Sequence, residues 1–163
     1  MTATTDPIAP VLGRIPSGVF ILTTRHADGR ETGTLVSWVQ QASFSPPMVT
    51  VAVNRKRYLT EWFTESSGVV LNLVGEQQKQ FLKHFGAGFG PEEPAFDGMT
   101  VSRTPSGLPI LTDAFGHLEG IVRSQLETGD HVIYAVEVVS AGSGPMFSES
   151  KPMVHIRKNG YNY

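Results

Sequence analysis

From Gly18 to Asn54 the sequence carries three strand-patterned segments in succession with nothing helical between them, which restricts the possible folds more than any other feature. "GVFILTTRHADGRETGTLVSWVQQASF" reads as a hairpin: an apolar run from Val19 to Leu22, an Asp28-Gly29 turn signal, then a second strand. Pro46-Pro47 ends that strand and leads into "MVTVAVN", where the two-residue period puts Val49, Val51 and Val53 on one face. Strands that follow one another without crossover helices pair antiparallel, as a meander or a Greek key. With 17% charged residues, 17 Gly and 11 Pro, the composition suits a compact strand-rich domain rather than a helical bundle.

Further along, "KRYLTEWFTES" is predicted as a short amphipathic helix presenting Tyr58, Leu59, Trp62 and Phe63 on one face. "GVVLNLV" is a strand, and "EQQKQFLKHFG" a second helix that gathers Phe81, Leu82 and Phe85 and stops at Gly86. "AGFGPEEPAFDG" is an irregular loop of a length that is more often functional than idle. Strands follow in "MTVSRT", "FGHLEGIVRSQLE" and "HVIYAVEVVSA", the last two joined by a Gly129-Asp130 turn, and a final short strand lies in "PMVHIRKNGYNY". Residues 1–10 are expected to be a flexible leader and "VLGRIPSG" one short turn of helix, with residues 11–163 forming a single domain. Seven or eight strands with two or three inserted helices imply a mainly β fold, a closed or partly closed barrel.

Several function classes drop out. A chain with no cysteine has no disulfide framework, thiolate metal site or cysteine nucleophile, and fits a reducing compartment. A formal charge of −2 argues against a nucleic-acid binder, although a local basic cluster can still hold one phosphate. Without a basic leader or an apolar run near the roughly 20 residues of a membrane span, the expectation is a soluble, cytoplasmic protein with no membrane partner. Metal motifs, the G-x-S-x-G elbow, the P-loop and G-x-G-x-x-G are all missing, and "GAGFG" precedes a loop rather than a helix.

Three places could carry chemistry. Asn54-Arg55-Lys56-Arg57 lies where a buried strand gives way to the expected helix, so it reads either as a phosphate anchor or as a solvated basic cluster. In "SWVQQASF", a continuous strand would put Ser37, Val39, Gln41 and Ser43 on one face and Trp38, Gln40, Ala42 and Phe44 on the other. Neither face is apolar throughout, so either those polar groups have a ligand, water or subunit as partner, or this is an edge strand with one face in water. His131 opens an apolar strand, where it could donate a hydrogen bond or carry a proton, or be an ordinary strand-start residue. His84 sits near a helix end, where it could simply meet the helix dipole.

The order of "TLVSWVQQASFSPP", "VAVNRKR", "VLNLV", "KHFGAGF", "LPILTDA", "LEGIV" and "GDHVIYAVEV" resembles the flavin reductase-like family with its FMN-binding split barrel of Greek-key type, across most of the chain. "SWVQQASF" and "KHF" look especially like the flavin reductase module of flavodiiron proteins, here expected to stand alone. The resemblance implies FMN held near a homodimer interface, NADH or NADPH as reductant, and an oxygenase or other electron-accepting partner. It implies that Leu35, Ser37, Trp38, Val39 and Ser43 line the flavin ring and ribityl chain, with His84 and Phe85 also at the cofactor. Asn54, Arg55, Lys56 and Arg57 would hold the phosphate, and His131 would stand where nicotinamide docks. Trp38 and Val136 stand where many relatives carry a small residue and a glycine, so Trp38 could stack against the flavin or narrow the nicotinamide space, and Val136 could close part of the approach. A flavin reductase is therefore the leading expectation. An FMN-binding electron-transfer or storage protein, and an interaction module with a vestigial site, are the alternatives.

Overall fold

The computed structural model describes residues 6–64 and 67–163. In chain order the elements are helix α1 (Ile8–Gly13), β1 (Ser17–Gly18), β2 (Phe20–Arg25), β3 (Glu31–Val36), β4 (Val39–Phe44), β5 (Pro47–Asn54), a 3-10 turn (Tyr58–Glu61), and β6 (Gly68–Leu73). Helix α2 (Lys79–Phe85), β7 (Val101–Arg103), β8 (Pro109–Leu111), β9 (Gly116–Glu127), β10 (His131–Ser143) and β11 (Val154–His155) follow. One seven-stranded sheet, in the order β3-β2-β6-β9-β10-β5-β4, dominates, and β1-β11 and β7-β8 form two small antiparallel pairs. Every pairing in the large sheet is antiparallel, including β2-β3 and β4-β5, whose strands follow one another without a helix.

The sheet's end strands, β3 and β4, are consecutive in the chain, so the link Ser37-Trp38 joins one edge to the other. Trp38 stays attached to the far edge through its carbonyl, which accepts from the Ala52 N–H at 3.0 Å. The curled sheet encloses Leu22, Val51, Val53, Val69, Leu71, Val122, Tyr134 and Val136. Val49, Val51 and Val53 are all buried on this face, as their spacing predicts. A second cluster lies outside the barrel, where α2 presses Phe81 and Phe85 against Ile21, Val74 and Leu111. Gly33 permits that packing: a Cβ there would come within 2.9 Å of the Phe85 ring.

Several expectations need correction. The Ser37–Phe44 segment is not one strand: β3's ladder ends at Val36, β4's begins at Val39, and the register shifts between Gln41 and Ser43. The simple alternation of faces therefore does not run through it. β4 is an edge strand with Gln40, Gln41, Ala42 and Phe44 exposed, which answers most of its polarity. The helix expected in "KRYLTEWFTES" is only a 3-10 turn, closed by the Thr60 N–H on the Arg57 carbonyl and the Trp62 N–H on that of Leu59, both at 3.0 Å, while the Thr60 hydroxyl also donates to the Arg57 carbonyl at 2.8 Å. Residues 65–66 of that segment, like residues 1–5 of the expected leader, lie outside the described residues. Residues 8–10 of the leader belong to α1, tied by an Asp6 carboxylate that accepts from the Ile8 N–H at 2.9 Å. Among the described residues no helix is long and apolar enough to cross a membrane.

Candidate functional site

Antiparallel pairing sets His131 at the start of β10 opposite Asn54 at the end of β5, and the end of β3 arrives beside them. Between these strand ends lies a cavity of about 420 Å³, lined among others by Thr34, Ser37, Asn54, Lys56, Arg57 and His131. Asn54 shapes its cationic wall. The Asn54 side-chain oxygen accepts from the Lys56 N–H at 2.9 Å and its carbonyl accepts from the Arg57 N–H at 3.0 Å, a tight turn that delivers both cations. Arg57 donates to the carbonyls of Ala87 and Gly86 at 3.0 and 3.4 Å, beyond the end of α2. Gly88, at φ 80°, leaves space against which the guanidinium lies, and a Cβ there would collide with it.

Thr34 is buried in the lining, and its hydroxyl has no hydrogen-bond partner among the described residues, which is costly. Ser37 is also buried, and its hydroxyl lies 3.1 Å from that of Tyr163. His131, only 9% exposed, places Nδ1 2.7 Å from the Asp130 carboxylate. That hydrogen bond, together with the attraction of the ring, lowers the Asp130 carboxyl below its usual range. A carboxylate can only accept, so Nδ1 carries the proton and Nε2 is the ring's remaining polar atom.

A second, more apolar cavity of about 660 Å³ adjoins the first and shares Ser37 and Ala52 with it. Trp38 and Val39 line it together with Leu12, Ile15 and Arg157. The Trp38 ring is 4.6 Å from that of His131, so an aromatic wall connects the two cavities. One offers cations and hydroxyls, the other apolar surface, which suits a molecule with an anionic end and a planar ring.

A profile of the flavin reductase like domain matches residues 12–162. The chain belongs to the flavin reductase-like domain family. It is 37% identical over 153 residues to diflavin flavoprotein A 1 of Synechocystis sp., covering 93% of this chain and 26% of that protein, so it spans about a quarter of the curated relatives' length. Among solved structures, the NADH:FAD oxidoreductase SgcE6 of Streptomyces globisporus C-1027 superposes with a TM-score of 0.80 at 24% identity, covering 90% of this chain and 85% of that one. The styrene monooxygenase flavin reductase of Pseudomonas putida S12 gives 0.73 at 24% identity, covering 90% and 91%. The fold is thus the mainly β split barrel of flavin reductases.

Within this family fold the expected site residues divide. Leu35, Ser37, Asn54, Lys56, Arg57 and His131 come together at the cationic cavity, while Trp38 and Val39 face the apolar one. Arg55 turns away, donating to Glu127 at 3.3 Å and to the Thr128 carbonyl at 2.9 Å. Ser43 lies beyond the β4 register shift and lines neither cavity. Phe85 is fully buried beneath Gly33, and His84 Nε2 lies 2.8 Å from the Ala95 carbonyl, so neither lines either cavity. Val136 is 1% exposed inside the barrel and lines neither cavity, so it does not close the approach. Thr34, Gly88, Arg157 and Tyr163 were not anticipated. For Thr34 a signal existed: a polar residue among the buried positions of β3 needs a partner.

Proposed function

We propose that this chain is an NAD(P)H-dependent flavin reductase that uses FMN and passes reduced flavin or electrons to a partner. The observation that carries the reading is the cavity walled by Lys56 and Arg57, with His131 and Ser37 in its lining, within a flavin reductase-like fold. FMN, when bound, supplies the acceptor for a hydride from nicotinamide. Lys56 and Arg57 hold its phosphate, with Asn54 fixing their turn. Thr34 and Ser37 offer hydroxyls to the polar parts of the cofactor. His131, oriented by Asp130, presents Nε2 to the carboxamide of nicotinamide and positions that ring. Hydride transfer needs proximity and orientation more than an acid or base, so His131 is a positioning group in this reading.

The remaining expectations belong to the same proposal. Exposed Val11, Leu12 and Ile15 of the α1 region, with Val154 and Ile156 nearby, support a homodimer formed over the apolar cavity. An oxygenase or other electron-accepting partner, and a cytoplasmic location, are part of this reading too. Anaerobic mixing of the purified protein and FMN with NADH, and separately with NADPH, tests it. Loss of the yellow absorbance within seconds with either nicotinamide is expected. Persistence for hours with both would leave an FMN-binding protein without turnover.

A further inference from the structure

Beyond the strand Val154–His155 the chain folds back along α1 and then over the cavities. Its base is tightly held: the Arg157 N–H donates to the Gly13 carbonyl at 2.8 Å, and the Gly160 N–H to the Ala9 carbonyl at 2.7 Å. Neither approach tolerates a side chain, since a Cβ on Gly13 would lie 2.6 Å from the Arg157 carbonyl oxygen and one on Gly160 2.9 Å from that of Ala9. The tip is different. Tyr163 is 71% exposed, yet it lines the cationic cavity. Its ring centroid stands 5.9 Å from Trp38 and its hydroxyl 3.1 Å from that of Ser37. The Arg157 guanidinium lies over both rings, 5.2 Å from Trp38 and 5.4 Å from Tyr163. Trp38 therefore neighbours both the His131 ring and the tail.

We propose that Tyr163 is a gate residue, whose ring holds the place beside Trp38 and Ser37 that the planar ring of the flavin takes when it enters. The inference rests on the flavin reading of the cavity and adds a competitor for it within the chain. Three features favour displacement over closure onto a bound ligand. The Tyr163 ring already stands beside Trp38 with its hydroxyl on Ser37, the space a planar ligand packed there would need. The exchange is nearly balanced, because one hydrogen bond and one ring contact are replaced by their like, while Arg157 remains able to lie over the incoming ring. Residues 161–163 are exposed, whereas backbone hydrogen bonds to α1 hold Arg157 and Gly160, so the tip can swing while the base stays docked.

The test has an arm without flavin and an arm with it, both on the full chain carrying Trp62→Phe, which leaves Trp38 as the remaining tryptophan of the two. Without flavin, Tyr163→Ala should raise the quenching of Trp38 fluorescence by acrylamide about twofold, as an aromatic cover is lost. Unchanged quenching shows that the tail does not cover Trp38 and overturns the gate while leaving the flavin reading standing. With flavin, Tyr163→Ala should bind FMN and riboflavin roughly five- to thirty-fold more tightly than its parent, by equal factors, from the ring contact and hydrogen bond removed. Tyr163→Phe keeps the ring and loses the hydroxyl, so a gain of only about two- to fivefold is expected. Equal or weaker binding by Tyr163→Ala overturns the gate. If parent and variants bind neither FMN nor riboflavin, the flavin reading fails and the gate with it, an outcome separate from either quenching result.

Discussion

The basic cluster offers three adjacent cations, and their different placement turns a general idea about phosphate into a residue-by-residue prediction. Lys56 and Arg57 line the cavity, whereas Arg55 is committed to Glu127 and Thr128. A charge-assisted hydrogen bond contributes about 1.5–3 kcal/mol, but Lys56 is exposed, and screening reduces its share to about 1 kcal/mol. Lys56→Ala should therefore weaken FMN binding roughly fivefold and riboflavin binding hardly at all, because only FMN carries the phosphate. Arg57 is half-buried and has a second role on the Gly86 and Ala87 carbonyls. Arg57→Ala should weaken FMN by roughly ten- to fiftyfold relative to riboflavin and also lower the melting temperature. Arg55→Ala should change the FMN-to-riboflavin ratio less than about twofold. Quenching of flavin fluorescence on titration with protein measures each ratio, and repeating it at high salt should shrink the Lys56 effect most. Equal losses for FMN and riboflavin in Lys56→Ala, or an Arg55→Ala ratio as large as that of Arg57→Ala, would refute the assignment.

Two further outcomes concern the barrel itself. Thr34→Val removes a buried hydroxyl that has no partner, so the flavin-free protein should gain about 1 kcal/mol in urea unfolding while flavin affinity falls, and a loss of stability would show the hydroxyl to be satisfied in solution. Burial holds the His117 ring below its ordinary value of 6.5, against the opposing pull of Glu119. The unfolded chain then takes up the proton first as pH falls below about 6.5, so this contribution to stability is complete above that pH and declines as pH falls toward the folded value. His117→Gln should lessen the decline in urea midpoint between about pH 8 and pH 5.5, and an unaltered slope would remove His117 from the account.

Local periodicity made much of the barrel readable. Val49, Val51 and Val53 revealed β5, and Phe81, Leu82, Phe85 and Gly86 revealed α2, because a two-residue or a helical period survives whatever the rest of the chain does. The 3-10 turn was misread as a helix since its apolar spacing is helical, while the bond from Thr60 to the Arg57 carbonyl competes with helix formation. The direction of Arg55 was partly legible: alternation carries it along with Val53, opposite Asn54 and Lys56, before the Asn54 turn resets the pattern for Arg57. The contact between Ser37 and Tyr163 was not legible, for it joins residues 126 apart and depends on how the tail docks against α1.

The polarity of "SWVQQASF" follows from where the sheet closes. A barrel built from a curled antiparallel sheet has two edge strands, and here consecutive segments of the chain, β3 and β4, supply them. The chain must leave one ladder before it joins the other, and it does so at Ser37-Trp38, with only the Trp38 carbonyl anchored to β5 across the gap at 3.0 Å. A strand in mid-sheet would spend its backbone groups on neighbours at both sides. At the seam, side chains and backbone are free to face a cavity, and both cavities open along it, sharing Ser37 and Ala52. The glutamines beyond the seam need no ligand, because β4 runs along the solvent edge. What looked like one polar strand is two things: a crossing point whose hydroxyl and indole serve the site, and an edge whose amides meet water.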